Sequence, residues 1–117
     1  MSESQTLLAE VNYIKNKVDA IEKVEVMNLR SNTALKDMYL SLFRKDQLLF
    51  EVYKCVDGKK NQQSIAAETR ISEPSVSRKL QLLFANGLVE VKDVVGKQKI
   101  YMHSVAEKAF SLSKTKI

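Results

Sequence analysis

NQQSIAAETRISEPSVSRKLQLLFANG, residues Asn61 to Gly87, is the stretch that decides the fold. It reads as two short helices joined by a tight turn. The first is polar at its start and then presents Ile65, Ala66 and Thr69. The second opens at Ser72, whose hydroxyl suits the free N–H groups of a first helical turn. Glu73 and Pro74 follow, where a negative charge and a fixed φ are both favourable. Val76, Leu80, Leu83 and Phe84 then recur at i, i+4, i+7 and i+8, an apolar stripe along one face. Ser75, Ser77, Arg78, Lys79, Gln81 and Asn86 fall on the other face. Gly87 ends the helix, at the position that best accepts a left-handed backbone.

Downstream the period changes from helical to two. Leu88–Asp93 reads as a strand with Val89 and Val91 on one face. Val94-Val95-Gly96-Lys97 reads as a hairpin turn, and Gln98–His103 as the return strand with Ile100 and Met102 on one face. Lys92, Lys97 and Lys99 make this hairpin basic. Ser104-Val105-Ala106-Glu107 has the spacing of a capping box. A short final helix through Ala109, Phe110 and Leu112 follows it, and Ser113–Ile117 is expected to fray.

Upstream, Asp46 is positioned to cap a helix carrying Leu48, Leu49, Val52, Tyr53 and Val56, ended by Asp57-Gly58. Before it, Leu35, Met38, Tyr39, Leu42 and Phe43 form the apolar face of another helix, capped by Asn32 or Thr33. The segment from about residue 3 to residue 30 has almost no helix breaker. In it Leu7, Val11, Ile14, Val18 and Ile21 step by four and three, the spacing of a coiled-coil seam. The strict seam would continue at the polar residues Glu25 and Asn28; Val24 and Met27 extend it only if the register slips. A long helix with so narrow a stripe needs a surface to lie on, and a second copy of the chain is the expected one. The expected organisation is an N-terminal dimerisation helix over residues 1–32 and a domain with a C-terminal helix over 33–117.

The totals narrow the class. The chain has 117 residues and a net charge of +5, with one cysteine, Cys55, and one histidine, His103. A single cysteine forms no internal disulfide, and one histidine beside it makes no metal-ligand cluster. Neither a metal nor another cofactor is expected. No run is apolar and long enough to suggest a signal peptide or membrane span, so a cytoplasmic location is expected, with no membrane partner. The charge is unevenly placed. Residues 1–57 carry eight Lys/Arg against nine Asp/Glu, net −1; residues 58–117 carry eleven against five, net +6. The physical reading of a basic half is a polyanionic partner.

Gln63-Ser64-Ile65-Ala66, Ile71-Ser72, Ser75-Val76-Ser77-Arg78-Lys79-Leu80 and Asn86-Gly87-Leu88-Val89 together resemble the helix-turn-helix of winged-helix transcription regulators, such as the MarR and ArsR groups and small archaeal regulators. The resemblance covers about Asp46 to His103. It implies a mainly α fold with a small β-hairpin, a winged helix-turn-helix behind a long N-terminal helix. It also implies that the second helix of the pair enters the DNA major groove. One position departs from the pattern: where these regulators usually carry glycine, before Ile71, this chain has Arg70. Either the turn differs or a non-glycine residue bears left-handed strain.

The expected function is that of a homodimeric DNA-binding transcriptional regulator. The expected DNA-contacting residues are Gln62, Gln63, Ser64, Ser72, Ser75, Ser77, Arg78, Lys79, Lys92, Lys97 and Lys99. Arg78 is the candidate for bidentate reading of guanine and Lys79 for phosphate. The dimer seam is Leu7, Val11, Ile14, Val18 and Ile21. The alternatives are a winged-helix protein-interaction module and a non-specific, chromatin-like DNA-binding protein. An enzyme is not expected: there is no phosphate-binding loop, metal cluster or paired nucleophile and base.

Overall fold

A computed structural model describes residues 19–117. Of the seam, Leu7, Val11, Ile14 and Val18 lie outside the described residues. Helix α1 runs through residues 19–30 and ends just before the Asn32 cap of the next helix. After it come α2 (Thr33–Lys45), α3 (Gln47–Cys55), α4 (Gln62–Thr69) and α5 (Glu73–Ala85). A hairpin of β1 (Val89–Val95) and β2 (Gln98–His103), α6 (Val105–Phe110) and a short 3₁₀ turn (Leu112–Lys114) complete the chain. The described fold is mainly helical with one two-stranded antiparallel sheet.

The helices start where short polar side chains answer free backbone donors. Asn32 accepts from Leu35 N at 3.1 Å, Asp46 from Leu49 N at 3.0 Å and Asn61 from Ser64 N at 2.9 Å. Each such cap is worth about 0.5–2 kcal/mol. The α5 start differs from expectation. Ser72 holds the N-cap position but makes no side-chain cap bond. Pro74 occupies one of the two positions whose N–H a cap side chain would receive, and proline has none. The α5 end is as read: Gly87 has φ +74, Leu88 N donates to Leu83 O and Gly87 N to Phe84 O, both at 3.0 Å, the paired bonds of a Schellman motif.

One core joins these elements. Val76, Leu80 and Leu83 of α5 meet Phe43 of α2, Leu49, Val52 and Tyr53 of α3, Ile65 of α4, Leu88, Val89, Phe110 and Leu112. Phe43 lies 5.0 Å from both Phe50 and Tyr53 between ring centroids. Phe84 is not part of this core; it is 55% exposed. Eight residues of helix rotate about 80° beyond two full turns, enough to carry Phe84 off the edge of the stripe begun at Val76. Met38 and Leu48 are likewise exposed rather than core.

The hairpin is longer than the sequence suggests. Val94 and Val95 pair with Lys99 and Gln98, so the turn shrinks to Gly96-Lys97, with Gly96 at φ +63. Two-residue hairpin turns of the primed types need such a positive φ. A bulge at Lys92 shifts the register between Val91 and Asp93. The core-facing side of β2 is therefore Tyr101 and His103, opposite Val91 and Val89, while Met102 is exposed. His103 Nε2 lies 2.7 Å from the Tyr53 carbonyl oxygen, to which it donates, and its ring stacks 4.4 Å from that of Tyr53.

Two further readings are corrected at the C-terminal end. Ser104 does cap α6, accepting from Ala106 N, but Glu107 does not reach back to close the box. Its carboxylate instead accepts from Tyr53 Oη at 2.9 Å and from Ser113 N and Oγ at 2.8 and 3.0 Å. With Leu112 fully buried, this holds the stretch around Ser113 against the body instead of leaving it to fray. Burial, then the negative charge and hydrogen bond of Glu107, push the Tyr53 hydroxyl far above its ordinary pKa, so it stays a donor to that carboxylate.

Candidate nucleic-acid interface

The turn between α4 and α5 sets how the two helices cross. Arg70 ends α4 with φ 60 and ψ 25, a left-handed conformation. The turn therefore keeps the geometry glycine would adopt, and arginine bears its strain, about 1–2 kcal/mol. Thr69 Oγ1 donates to Ile65 O at 2.7 Å and closes the last turn of α4 beneath it. Across the opening of the pair, Gln62 Nε2 donates to Glu73 O at 3.2 Å, tying the start of α4 to the first turn of α5.

These supports place the expected contact residues in two groups. Gln63 and Ser64 are exposed on the first turn of α4. Ser72 is exposed at the head of α5, with Ser75 and Ser77 half-buried along it. Arg78 is exposed; among the described residues its one side-chain hydrogen bond is from Nε to Pro74 O at 3.3 Å, within its own helix. Lys97 stands at the hairpin turn, and Lys99 in β2 opposite Val94; both are exposed.

Gln62, Lys79 and Lys92 have internal tasks. Lys79 Nζ lies 2.9 and 3.2 Å from the two oxygens of Asp46, and its side chain is only 16% exposed. It crosses from α5 to the N-cap of α3. Burial alone would raise the Asp46 carboxyl; the bond from Lys79 and then the Leu49 N–H outweigh it and hold the group below its ordinary value. Lys92, the bulged residue, donates to Gly58 O at 3.1 Å. Lys60 is also engaged, with Glu68 at 2.8 Å and Asp57 at 3.4 Å; the bond to Glu68 is the largest reason its pKa is raised.

The loop before α4 joins the hairpin to the helix pair. Gly58 N donates to Tyr101 O at 3.0 Å, and Asn61 forms a single antiparallel bridge with Ile100 of β2. Asp57 accepts from the N–H groups of Lys59 and Lys60 at 2.9 Å each, of which the Lys60 bond does most to lower its pKa. Lys59 is left exposed. Gln81, on the polar face of α5 but not among the expected contacts, is exposed one turn beyond Arg78 on the same side.

Helix α1 meets the body at α6. Lys108 Nζ pairs with Glu22, Arg30 donates to Lys108 O at 3.4 Å, and Leu29 packs against the core. Away from the body, Ile21, Val24 and Met27 are 54, 56 and 67% exposed. Cys55 is half-buried, and burial is the main cause that raises its thiol pKa, a setting that disfavours the reactive thiolate. Among the described residues no helix is long and apolar enough to cross a membrane. No protein-family model, curated protein or solved structure matches this chain.

Proposed function

We propose that this chain is a winged helix-turn-helix regulator of transcription that binds double-stranded DNA as a homodimer. The observation that carries the reading is the outward side of α5. It bears Ser72, Ser75, Arg78 and Gln81, while Val76, Leu80 and Leu83 on the opposite side are buried in the core. A helix that spends one face on packing and offers short hydroxyls, an amide and a guanidinium on the other has the chemistry that reads base edges in a major groove. Its long axis needs no further partner for folding. The exposed Lys97 and Lys99 of the hairpin, and the net +6 of residues 58–117, suit the phosphates on either side. The single bridge between Asn61 and Ile100 joins the hairpin to the start of the helix pair and supports this reading.

The roles divide as follows. Arg78 and Gln81 face base edges; Ser72, Ser75 and Ser77 approach edges or phosphates; Gln63, Ser64, Lys97 and Lys99 meet the backbone. Lys79 and Gln62 hold α5 in place. The self-partner is the exposed side of α1, through Ile21, Val24 and Met27, in line with the sequence seam that reaches Ile21. A salt titration of affinity for duplex DNA tests the reading. Several neutralised phosphates give a log–log slope of about −0.9 for each. The second reading, a protein-interaction module, rests on that same exposed stripe of α1 and gives no salt-dependent affinity for DNA.

A further inference from the structure

Among the described residues, no other element covers the hairpin tip. Every residue from Glu90 to Lys99 is exposed, including the two tip lysines Lys97 and Lys99. Whatever fixes the direction of the tip must therefore act at the base. On the β2 side, the backbone does this through Gly58 N to Tyr101 O and the Asn61–Ile100 bridge. On the β1 side the ladder is broken at Lys92, which the bulge leaves without a partner in β2. A bulge bends a strand and increases its local twist, so this is where the tip could turn relative to the base.

Lys92 itself closes that gap. Its ammonium donates to the Gly58 carbonyl at 3.1 Å, the one side-chain hydrogen bond from β1 to the 57–61 loop among the described residues. Its stem lies against the same residue: a Cβ on Gly58 would stand 3.2 Å from Lys92 Cδ and 3.4 Å from Nζ. Gly58 also has φ +79, so glycine at 58 serves both the loop conformation and the close seat for the lysine. The loop carrying this carbonyl leads directly into α4, whose start is tied to α5 by Gln62.

We infer that Lys92 is a positioning residue: it clamps the bulged strand to the 57–61 loop and thereby sets where Lys97 and Lys99 stand relative to α5, and it does not itself neutralise a DNA phosphate. The inference deepens the DNA-binding reading and rests on it for its consequence, while the clamp is a property of the free protein. Fixing the tip before binding lowers the ordering cost of the complex, which is how a residue without a DNA contact raises affinity.

Lys92→Met keeps most of the stem and removes the donors; Lys97→Met is the comparison. In the free full-length protein, amide exchange at Val94–Lys99 should speed up about tenfold in Lys92→Met, with Leu80 and Leu83 of α5 unchanged as the control for global unfolding. On duplex DNA, Lys92→Met should lower affinity by a similar factor at every salt concentration and leave the salt slope as in the parent. Lys97→Met should lower the slope by about 0.9. Unchanged hairpin exchange in Lys92→Met overturns the clamp. A slope lowered as much as in Lys97→Met makes Lys92 a phosphate ligand and overturns it equally. A parent without salt-dependent DNA affinity sinks the DNA reading, and the exchange result still decides whether Lys92 holds the hairpin.

Discussion

Helices α5 and α1 both carry an apolar stripe, and they use it in opposite ways. On α5, Val76, Leu80 and Leu83 are essentially fully buried by other parts of the same chain, and the polar side is left over. On α1, Leu29 reaches the core, but Ile21, Val24 and Met27 stay bare, and the polar residues Glu22 and Arg30 make the attachment. An amphipathic helix is held mainly by tertiary burial of its apolar side. For α5 that burial is internal, so its outer face is available for a ligand. For α1 the burial is incomplete within one chain, which is the physical argument for a second copy.

Charge on the bare stripe is the hardest blow to this contrast. Val24→Glu combined with Met27→Glu should convert the proposed dimer into a folded monomer, because neither side chain supports the monomer core. Sedimentation and thermal unfolding together check it. A dimer of full strength would move the interface elsewhere. The α5 side is tested by Arg78→Ala, which should leave unfolding unchanged and cost about 1–3 kcal/mol in binding a preferred duplex if the guanidinium reads a base. Random duplexes should lose less, and competition binding separates the two.

Smaller effects sharpen the claim that α5 is held from within. Arg70→Gly should stabilise the protein by about 0.5–1 kcal/mol, the left-handed strain relieved less the added freedom of glycine in the unfolded chain. Chemical denaturation measures it, and no gain would mean that the arginine side chain offsets its own strain. The smallest change is expected from Asp46→Asn, which retains a good cap for α3 but removes the charge facing Lys79. The folded Asp46 pKa is depressed, so the ion pair stabilises the fold above the ordinary carboxylate value of 3.8 and the contribution is lost as pH falls through the folded value. The variant should therefore be less stable than the parent at pH 7, with the difference closing in acid. A gap independent of pH would assign the effect to packing.

Much of the helix pair and the hairpin was legible in the sequence, because their signals are local. Asn32, Asp46 and Ser104 cap the helices they precede, and Gly87 and Gly96 take the positive φ that their positions call for. What escaped depends on residues far apart in the chain. Lys79, an expected phosphate contact, is paired in the fold with Asp46, 33 residues away, a partner its local sequence does not point to. Lys92, expected as wing charge, donates to the carbonyl of Gly58, 34 residues away, a bond its local sequence does not point to. Glu107 fits a capping box by spacing, but Tyr53 and Ser113 offer its carboxylate better donors. In each case a charged side chain that looks free in one dimension is claimed by a neighbour that only the fold supplies. Arg78, Lys97 and Lys99 are the expected contacts that keep their charge toward solvent.

Whether a pair of α5 helices reads one duplex is tested most directly by footprinting on a sequence enriched from random DNA. A two-fold dimer that enters the same face of B-DNA twice needs recognition helices about 34 Å apart. The predicted result is a palindromic site with half-site centres about 10 base pairs apart, one helical turn, and protection over about two turns. A single asymmetric half-site would contradict the paired reading, and a continuous, unphased coating would make the protein architectural rather than a reader of sequence.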